Sequence, residues 1–219
     1  MKPRPISIAI ASSQQLLLDT LANSFDNKSD FEVCVRHSDF SKEPTELRRN
    51  RPDVTLIDVD RELEDVLEFS QKLRSRDFAG KIVFLMGPMS DWIVEQLLSV
   101  RPDGCMLKAE TFDALHRYVA RIAKGEVIFS ADIEERLIYV SSVKKYKLRD
   151  KPPLSGLTRE QIQIFRHLAK GERVKDIAAK LRLTYKSVDS HKYRVMQKIG
   201  VHDRVELTHY AIREGMISP

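Results

Sequence analysis

A chain of 219 residues, 42% hydrophobic and 32% charged, has the balance of a folded globular protein and room for two domains, each with its own core. No apolar run approaches the roughly 20 residues needed to cross a bilayer. The first residues lead into a strand pattern rather than a signal-peptide core, so a cytoplasmic protein without a membrane partner is expected. The formal charge of +5 is unevenly spread: residues 151–219 hold 14 Lys and Arg against 7 Asp and Glu, net +7, and the first 150 hold 23 against 25, net −2. A basic C-terminal third suits a nucleic-acid surface, because clustered cations gain affinity by releasing counterions from phosphates.

Along the first 124 residues, short apolar runs alternate with amphipathic segments. Strands are predicted at Ile6 to Ala11, Phe31 to Val35, Val54 to Val59, Lys81 to Met86 and Gly104 to Leu107. Between them Leu17, Leu18, Leu21 and Phe25 recur at helical spacing, as do Leu63, Leu67 and Leu73, then Ile93, Leu97 and Leu98, then Leu115, Val119 and Ile122. Strands that read as continuous Val, Ile and Leu, such as VTLIDV, are buried on both faces. The expectation is therefore an α/β doubly wound, five-stranded parallel sheet covered by helices on both sides. Ligands of such sheets bind at the carboxyl ends of the strands, where Ser12, Asp58, Met86 and Lys108 fall. Cys34 and Cys105 lack metal or redox spacing and read as small buried thiols.

PDVTLIDVD (52–60), KIVFLMG (81–87) and DGCMLK (103–108) resemble the third, fourth and fifth strands of a bacterial two-component receiver domain. The resemblance implies a flavodoxin-like fold, with Asp58 as the phosphoacceptor equivalent and Lys108 as its basic partner. A carboxylate that takes a phosphoryl group needs a divalent cation, and Mg²⁺ wants oxygen ligands, supplied in receivers by an acidic pair ending the first strand. Here that pair is Ser12 and Ser13. Met86 stands where a hydroxyl side chain is usual, Cys105 where an aromatic is usual, and the loop after Asp58, VDRELEDV, lacks the frequent Pro and Gly. These departures point to a receiver that has lost its phosphorylation chemistry, with Asp58 and Lys108 kept as a structural ion pair and no cofactor. The alternative is that Asp60, Glu62 or Glu64 replaces the missing carboxylates, so that Mg²⁺ binds and Asp58 is phosphorylated.

GEVIFSADIEERL (125–137) reads as a short extended stretch followed by a helix capped by Ser130, with Asp132 and Glu134 in its first turn. SSVKKYKLRDKPPLSG (141–156) is lysine-rich and carries Pro152-Pro153, as an exposed interdomain tether would. Its basic run is a candidate for contact with DNA phosphates, with a solvated tether as the plainer reading. The boundaries expected are a receiver-like domain over 1–124, a linker with a short helix over 125–153, and a C-terminal domain over 154–219.

In the last segment, LTREQIQIFRHLAKG (157–171) predicts a helix with a Thr158 cap, an apolar stripe of Ile162, Phe165 and Leu168 or Ala169, and Gly171 as its stop. RVKDIAAKL (173–181) is a second helix. After a two-residue link, LTYKSVDSHKYRVMQKIG (183–200) is a third, capped by Thr184 and ended by Gly200. Two helices joined so tightly, the second long and basic, make a helix-turn-helix. Leu157, Thr158, Ala169, Gly171, Lys175, Ile177, Ala178, Leu181, the stretch Thr184 to His191, Lys198, Gly200 and Val201 resemble the LuxR-type helix-turn-helix of NarL/FixJ response regulators. That resemblance implies an all-α four-helix domain. Arg159 replaces a common proline, and Glu160-Gln161 replaces a common Arg-Glu.

Helical geometry divides the third helix: Val188, Val195 and Ile199, with Met196 beside them, face a core, while Lys186, Asp189, Ser190, Tyr193 and Gln197 project away. The resemblance implies that Asp189, Ser190 and Tyr193 sit where bases are read. It sets Lys175, Thr184, Lys186, Ser187, Lys192, Arg194 and Lys198 in the DNA-binding surface, most of them near phosphates. Asp189 is suited to accept from a cytosine amino group, or alternatively to pair with Lys186 or Lys192. His191 has no second ligand at metal spacing and reads as a packed, hydrogen-bonded histidine. The last helix, roughly 203–214, carries Val205, Leu207, Ala211 and Ile212, and the family implies a dimer contact there, making a homodimer the expected form. No hydrolase or phosphate-loop signature is present, and an enzyme is not expected. The function expected is a DNA-binding transcriptional regulator working without aspartyl phosphorylation, possible partners including another protein. The alternative is a conventional response regulator phosphorylated on Asp58 by a histidine kinase.

Overall fold

The computed structural model describes residues 4–60, 63–75 and 78–217. The chain divides into two compact units, one of residues 1–88 and 95–149, the other of residues 150–219 with 89–94. In chain order the elements are β1 (Ile6–Ala11), α1 (Gln15–Asp26), β2 (Phe31–His37), α2 (Thr45–Asn50), β3 (Val54–Val59), α3 (Leu63–Arg74), β4 (Lys81–Met86), α4 (Asp91–Ser99), β5 (Gly104–Leu107) and α5 (Phe112–Ala123). β6 (Ile128–Phe129) and α6 (Ala131–Glu134) follow. The strands form one parallel sheet in the order β2-β1-β3-β4-β5-β6. Every residue of β3 is buried, as a strand covered on both faces requires. On one face Ile8, Ile10, Leu56, Val83, Leu85 and Met106 pack with Leu18, Leu21 and Phe25 of α1 and Leu115, Val119 and Ile122 of α5.

Four of the five expected strands have the expected bounds, and β2 continues two residues further, to His37. The sheet has six strands rather than five, because Ile128 and Phe129 pair with Gly104 and Cys105. Ser130 does not cap α6: its buried hydroxyl accepts the Leu107 N–H at 2.9 Å and so continues the sheet edge beyond β6. In α3 the buried stripe is Leu63, Val66, Phe69 and Leu73, with Leu67 only half-buried. α2 buries one residue, Leu47, and carries no apolar stripe by which periodicity would reveal it. Cys105 is fully buried, whereas Cys34 is half-buried at a register shift between β1 and β2.

Residues 137–148 are ordered as an antiparallel hairpin of β7 (Leu137–Val140) and β8 (Lys145–Leu148), not the bare tether expected from their lysines. Leu137 and Leu148 are cross-strand partners and both are buried. Tyr139 faces Tyr146 with ring centroids 5.1 Å apart, and Tyr146 meets Phe129 edge-on at 4.8 Å. Such cross-strand aromatic and aliphatic pairs are what hold a short hairpin together.

The second unit contains α7 (Arg159–Ala169), α8 (Val174–Leu181), α9 (Tyr185–Ile199) and α10 (Arg204–Arg213). Thr158 caps α7 in a reciprocal capping box with Gln161: its hydroxyl accepts from Gln161 N, and Gln161 Oε1 accepts from Thr158 N. Ile164, Phe165, Leu168 and Ala169 are the buried face of α7; Ile162 is half-buried, so the stripe is rotated from the one expected. Thr184 caps α9 through Ser187 N, and Gly200 ends it with φ of 71°. Val188, Val195 and Ile199 are buried with Ile177, Leu207, Tyr210 and Ala211.

Candidate functional site

The order β2-β1-β3 places the carboxyl ends of β1 and β3 side by side, the position where open α/β sheets bind ligands. Asp58, in β3, is 2% exposed. Ser12, fully buried just past β1, donates from its hydroxyl to Asp58 Oδ2 at 2.7 Å and accepts the Gln14 N–H at 3.1 Å. Lys108, just past β5, brings its ammonium to Asp58 Oδ1 at 2.5 Å. Backbone bonds fix both approaches, Ser12 N–H to His37 O and Lys108 N–H to Met86 O. Both carboxylate oxygens are therefore engaged by the chain itself, which stabilises a buried charge that would otherwise be costly.

The other expected members of this site diverge. Ser13 is exposed and makes no contact with Asp58, so the two serines are not equivalent. Met86 is buried at the end of β4, and Cys105 lies inside β5, where burial pushes its thiol far above the usual range and leaves it unreactive. Asp60 is exposed and accepts from Gln14 Nε2 at 2.6 Å. Glu64 is in the first turn of α3, and Glu62 lies outside the described residues. Among the described residues no three His, Cys, Asp or Glu gather, and serine hydroxyls are poorer Mg²⁺ ligands than carboxylates. Gln14 was missed by sequence reasoning, although its place three residues after β1 was a usable signal.

The helix-turn-helix closes through a left-handed residue. Arg182 has φ of 56°, and Leu183 N–H reaches back to Ala178 O at 2.9 Å. On α9 the division expected from geometry is observed: Lys186, Asp189, Ser190, Tyr193, Arg194, Gln197 and Lys198 are exposed, Tyr193 at 69%. Ser187 and Lys192 are half-buried at the margin, and Lys175 and Thr184 are exposed. No ion pair joins Asp189 to Lys186 or Lys192 among the described residues. Tyr185, 61% exposed in the first turn, joins this face and was not among the expected site residues.

Behind that face α9 is tied to its neighbours. His191 Nε2 meets Glu160 Oε1 of α7 at 2.7 Å, so the residue that departs from the family pattern makes a contact of its own. Glu172 bridges Lys180 and His167, both at 2.9 Å, and these bonds, Lys180 first, hold its carboxyl below the usual range. Arg204 donates to Leu168 O and Glu172 O, fixing α10 to the end of α7. These ties hold the helices behind α9 so that its outer row keeps a fixed orientation.

Residues 155–211 match the family model of bacterial regulatory proteins, luxR family. The response regulator UvrY of Escherichia coli K12 is 27% identical over 169 residues, covering 77% of this chain and 76% of that protein. A nitrate/nitrite response regulator protein homolog from Haemophilus influenzae is 28% identical over 178 residues, covering 81% and 82%. RcsB from Salmonella enterica serovar Typhimurium, solved bound to a promoter with the phosphomimetic BeF3-, shares the fold with a TM-score of 0.60 at 20% identity, covering 94% of this chain and 97% of that one. Residues 155–211 thus match the luxR-family model, in a chain similar over about four-fifths of its length to the response regulator UvrY and to the nitrate/nitrite response regulator protein homolog.

Proposed function

We propose that this chain is a homodimeric, cytoplasmic, DNA-binding transcriptional regulator whose receiver-like unit works without aspartyl phosphorylation. The observation that carries this reading is the engagement of Asp58 by Ser12 and Lys108, with no cluster of three His, Cys, Asp or Glu among the described residues to hold a cation. An incoming phosphoryl group would have to break the Ser12 bond and bring negative charge to a buried carboxylate already paired with Lys108.

In the C-terminal unit, the outer row of α9 enters the major groove. Asp189, Ser190 and Tyr193 face base edges, Asp189 accepting from a cytosine amino group, and Lys186, Lys192, Arg194 and Lys198 face phosphates. Lys175, Thr184 and Ser187 contact the backbone at the helix start. RcsB, which shares the fold, is known as dimers bound to DNA. Val205 on α10 is 64% exposed, an apolar contact available to a second copy. Two recognition helices then reach successive major grooves about 34 Å apart.

The test is incubation with acetyl phosphate and Mg²⁺, read by intact mass and by duplex affinity. The expected result is no adduct and unchanged affinity; an adduct lost in Asp58→Ala would overturn the reading. The second reading, phosphorylation of Asp58 by a histidine kinase, is favoured by the Asp58–Lys108 pair itself and by the response-regulator relatives, and the same adduct would establish it.

A further inference from the structure

We infer that the β7–β8 hairpin is a second DNA-binding surface, one that grips the phosphate backbone without reading sequence. This inference rests on the DNA-binding reading above. The residues that carry it are Lys144, Lys145 and Lys147. Lys144 occupies the turn with φ of 48°, and the other two stand on alternate residues of β8.

Strand geometry sets Lys145 and Lys147 on one face, about 6.6 Å apart along the strand. Their cross-strand partners are Val140 and Ile138, while Tyr146 and Leu148 point to the opposite face, toward Phe129 and Leu137. The aromatic and aliphatic side of the hairpin is thus used for packing, and the lysine side is left outward. None of the three lysines forms an ion pair among the described residues, whereas Arg149 is engaged with Glu135 O.

Order is what turns a basic run into a site. Lysines on a floppy tether lose backbone freedom on touching a polyanion, and that cost cancels much of the gain. A hairpin already held by the Leu137–Leu148 and Tyr139–Tyr146 pairs presents its ammonium groups with little left to order. The occupant that fits is a phosphate backbone rather than a carboxylate-bearing protein. The cations follow one another along an extended strand, and each phosphate contact releases a counterion to drive binding. Leu148 lies ten residues before the Thr158 cap of α7, a connection of at most about 35 Å of extended chain.

The experiment uses the full chain and a mixed-sequence DNA duplex, with affinity followed by fluorescence anisotropy across a salt series. In the triple variant K144Q/K145Q/K147Q, the slope of log affinity against log salt is expected to fall by about two to three, close to one for each lost phosphate contact. The triple K144R/K145R/K147R should keep the parent slope, and unchanged thermal melting of both variants shows that the hairpin still folds. An unchanged slope in the glutamine variant, with binding still lost in Lys186→Ala/Lys192→Ala, would overturn the inference and leave DNA binding to α9. Failure of the parent protein to bind any duplex would overturn the inference and the DNA-binding reading together.

Discussion

At the carboxyl ends of β1, β3 and β5 the polar side chains turn toward one another; along the outer row of α9 they turn away. Ser12 hydrogen-bonds Asp58 and Lys108 pairs with its charge, whereas Asp189, Ser190 and Tyr193 hold their polar groups open to solvent. Both regions are polar, both lie at the ends or faces of regular elements, and both resemble sites known from the same class of proteins. The difference lies in whether the chain has satisfied the group itself. A satisfied polar cluster contributes to the fold, and an unsatisfied one on a rigid helix is available to a partner.

The contrast can be broken hardest from behind α9. Val188 is fully buried beneath the outer row, so Val188→Asp should cost about 3–5 kcal/mol and abolish both the cooperative melting of the C-terminal unit and duplex binding. Next is the closed cluster. Asp58→Ala strands Lys108, which is still 28% exposed, and should cost about 1–3 kcal/mol in urea denaturation while leaving duplex affinity unchanged. The reverse substitution sharpens the same point. Ser12→Asp places a second carboxylate against Asp58, and the variant should melt lower than the parent in chelator and recover on addition of Mg²⁺, a response the parent lacks.

Tyr193→Ala isolates the open face. Its side chain is 69% exposed, so stability should move by less than about 0.5 kcal/mol, whereas binding to a cognate duplex should weaken by about 1–2 kcal/mol. The smallest effect concerns His116 in α5, which meets Phe25 edge-on, lies tilted against Phe31 and stacks on Phe112. Burial, aided by Lys28 and opposed by Asp113, holds its pKa below the usual histidine value. Above about pH 6.5 the folded and unfolded chains both carry it neutral, and below that value the unfolded chain takes up the proton first. Stability should therefore decline slightly on acidification through the usual histidine range, and the decline should vanish in His116→Leu.

Much of the fold was legible because its signals were local. β3 and β4 are unbroken apolar runs between turn residues, and Thr158, Thr184, Gly171 and Gly200 mark helix ends by chemistry that acts within four residues. What escaped was decided over longer range. Ser130 looks like a cap in its own segment, but its hydroxyl is claimed by Leu107, 23 residues earlier. The lysines of β8 suggested a tether because the tyrosine and leucine pairs that order the hairpin become visible only once β7 is set in register against it. At the candidate site, the meeting of Asp58 with Lys108 is what the receiver resemblance implies. The inequality of Ser12 and Ser13 was not, since it depends on which of two adjacent side chains turns inward as the chain leaves β1.

The two-residue strand β6 has a consequence for anyone who cuts this protein into parts. β5 has three buried residues of its four, and Ile128 and Phe129 cover its otherwise open margin. A fragment ending after α5, the boundary at residue 124 that helix periodicity suggests, would leave β5 as a bare apolar template for pairing with another molecule, the exposure that natural sheets guard against with short terminal strands. Excision after Arg149 keeps β6, the Ser130 bond and the hairpin together, and that fragment should stay monodisperse at concentrations where the shorter one aggregates.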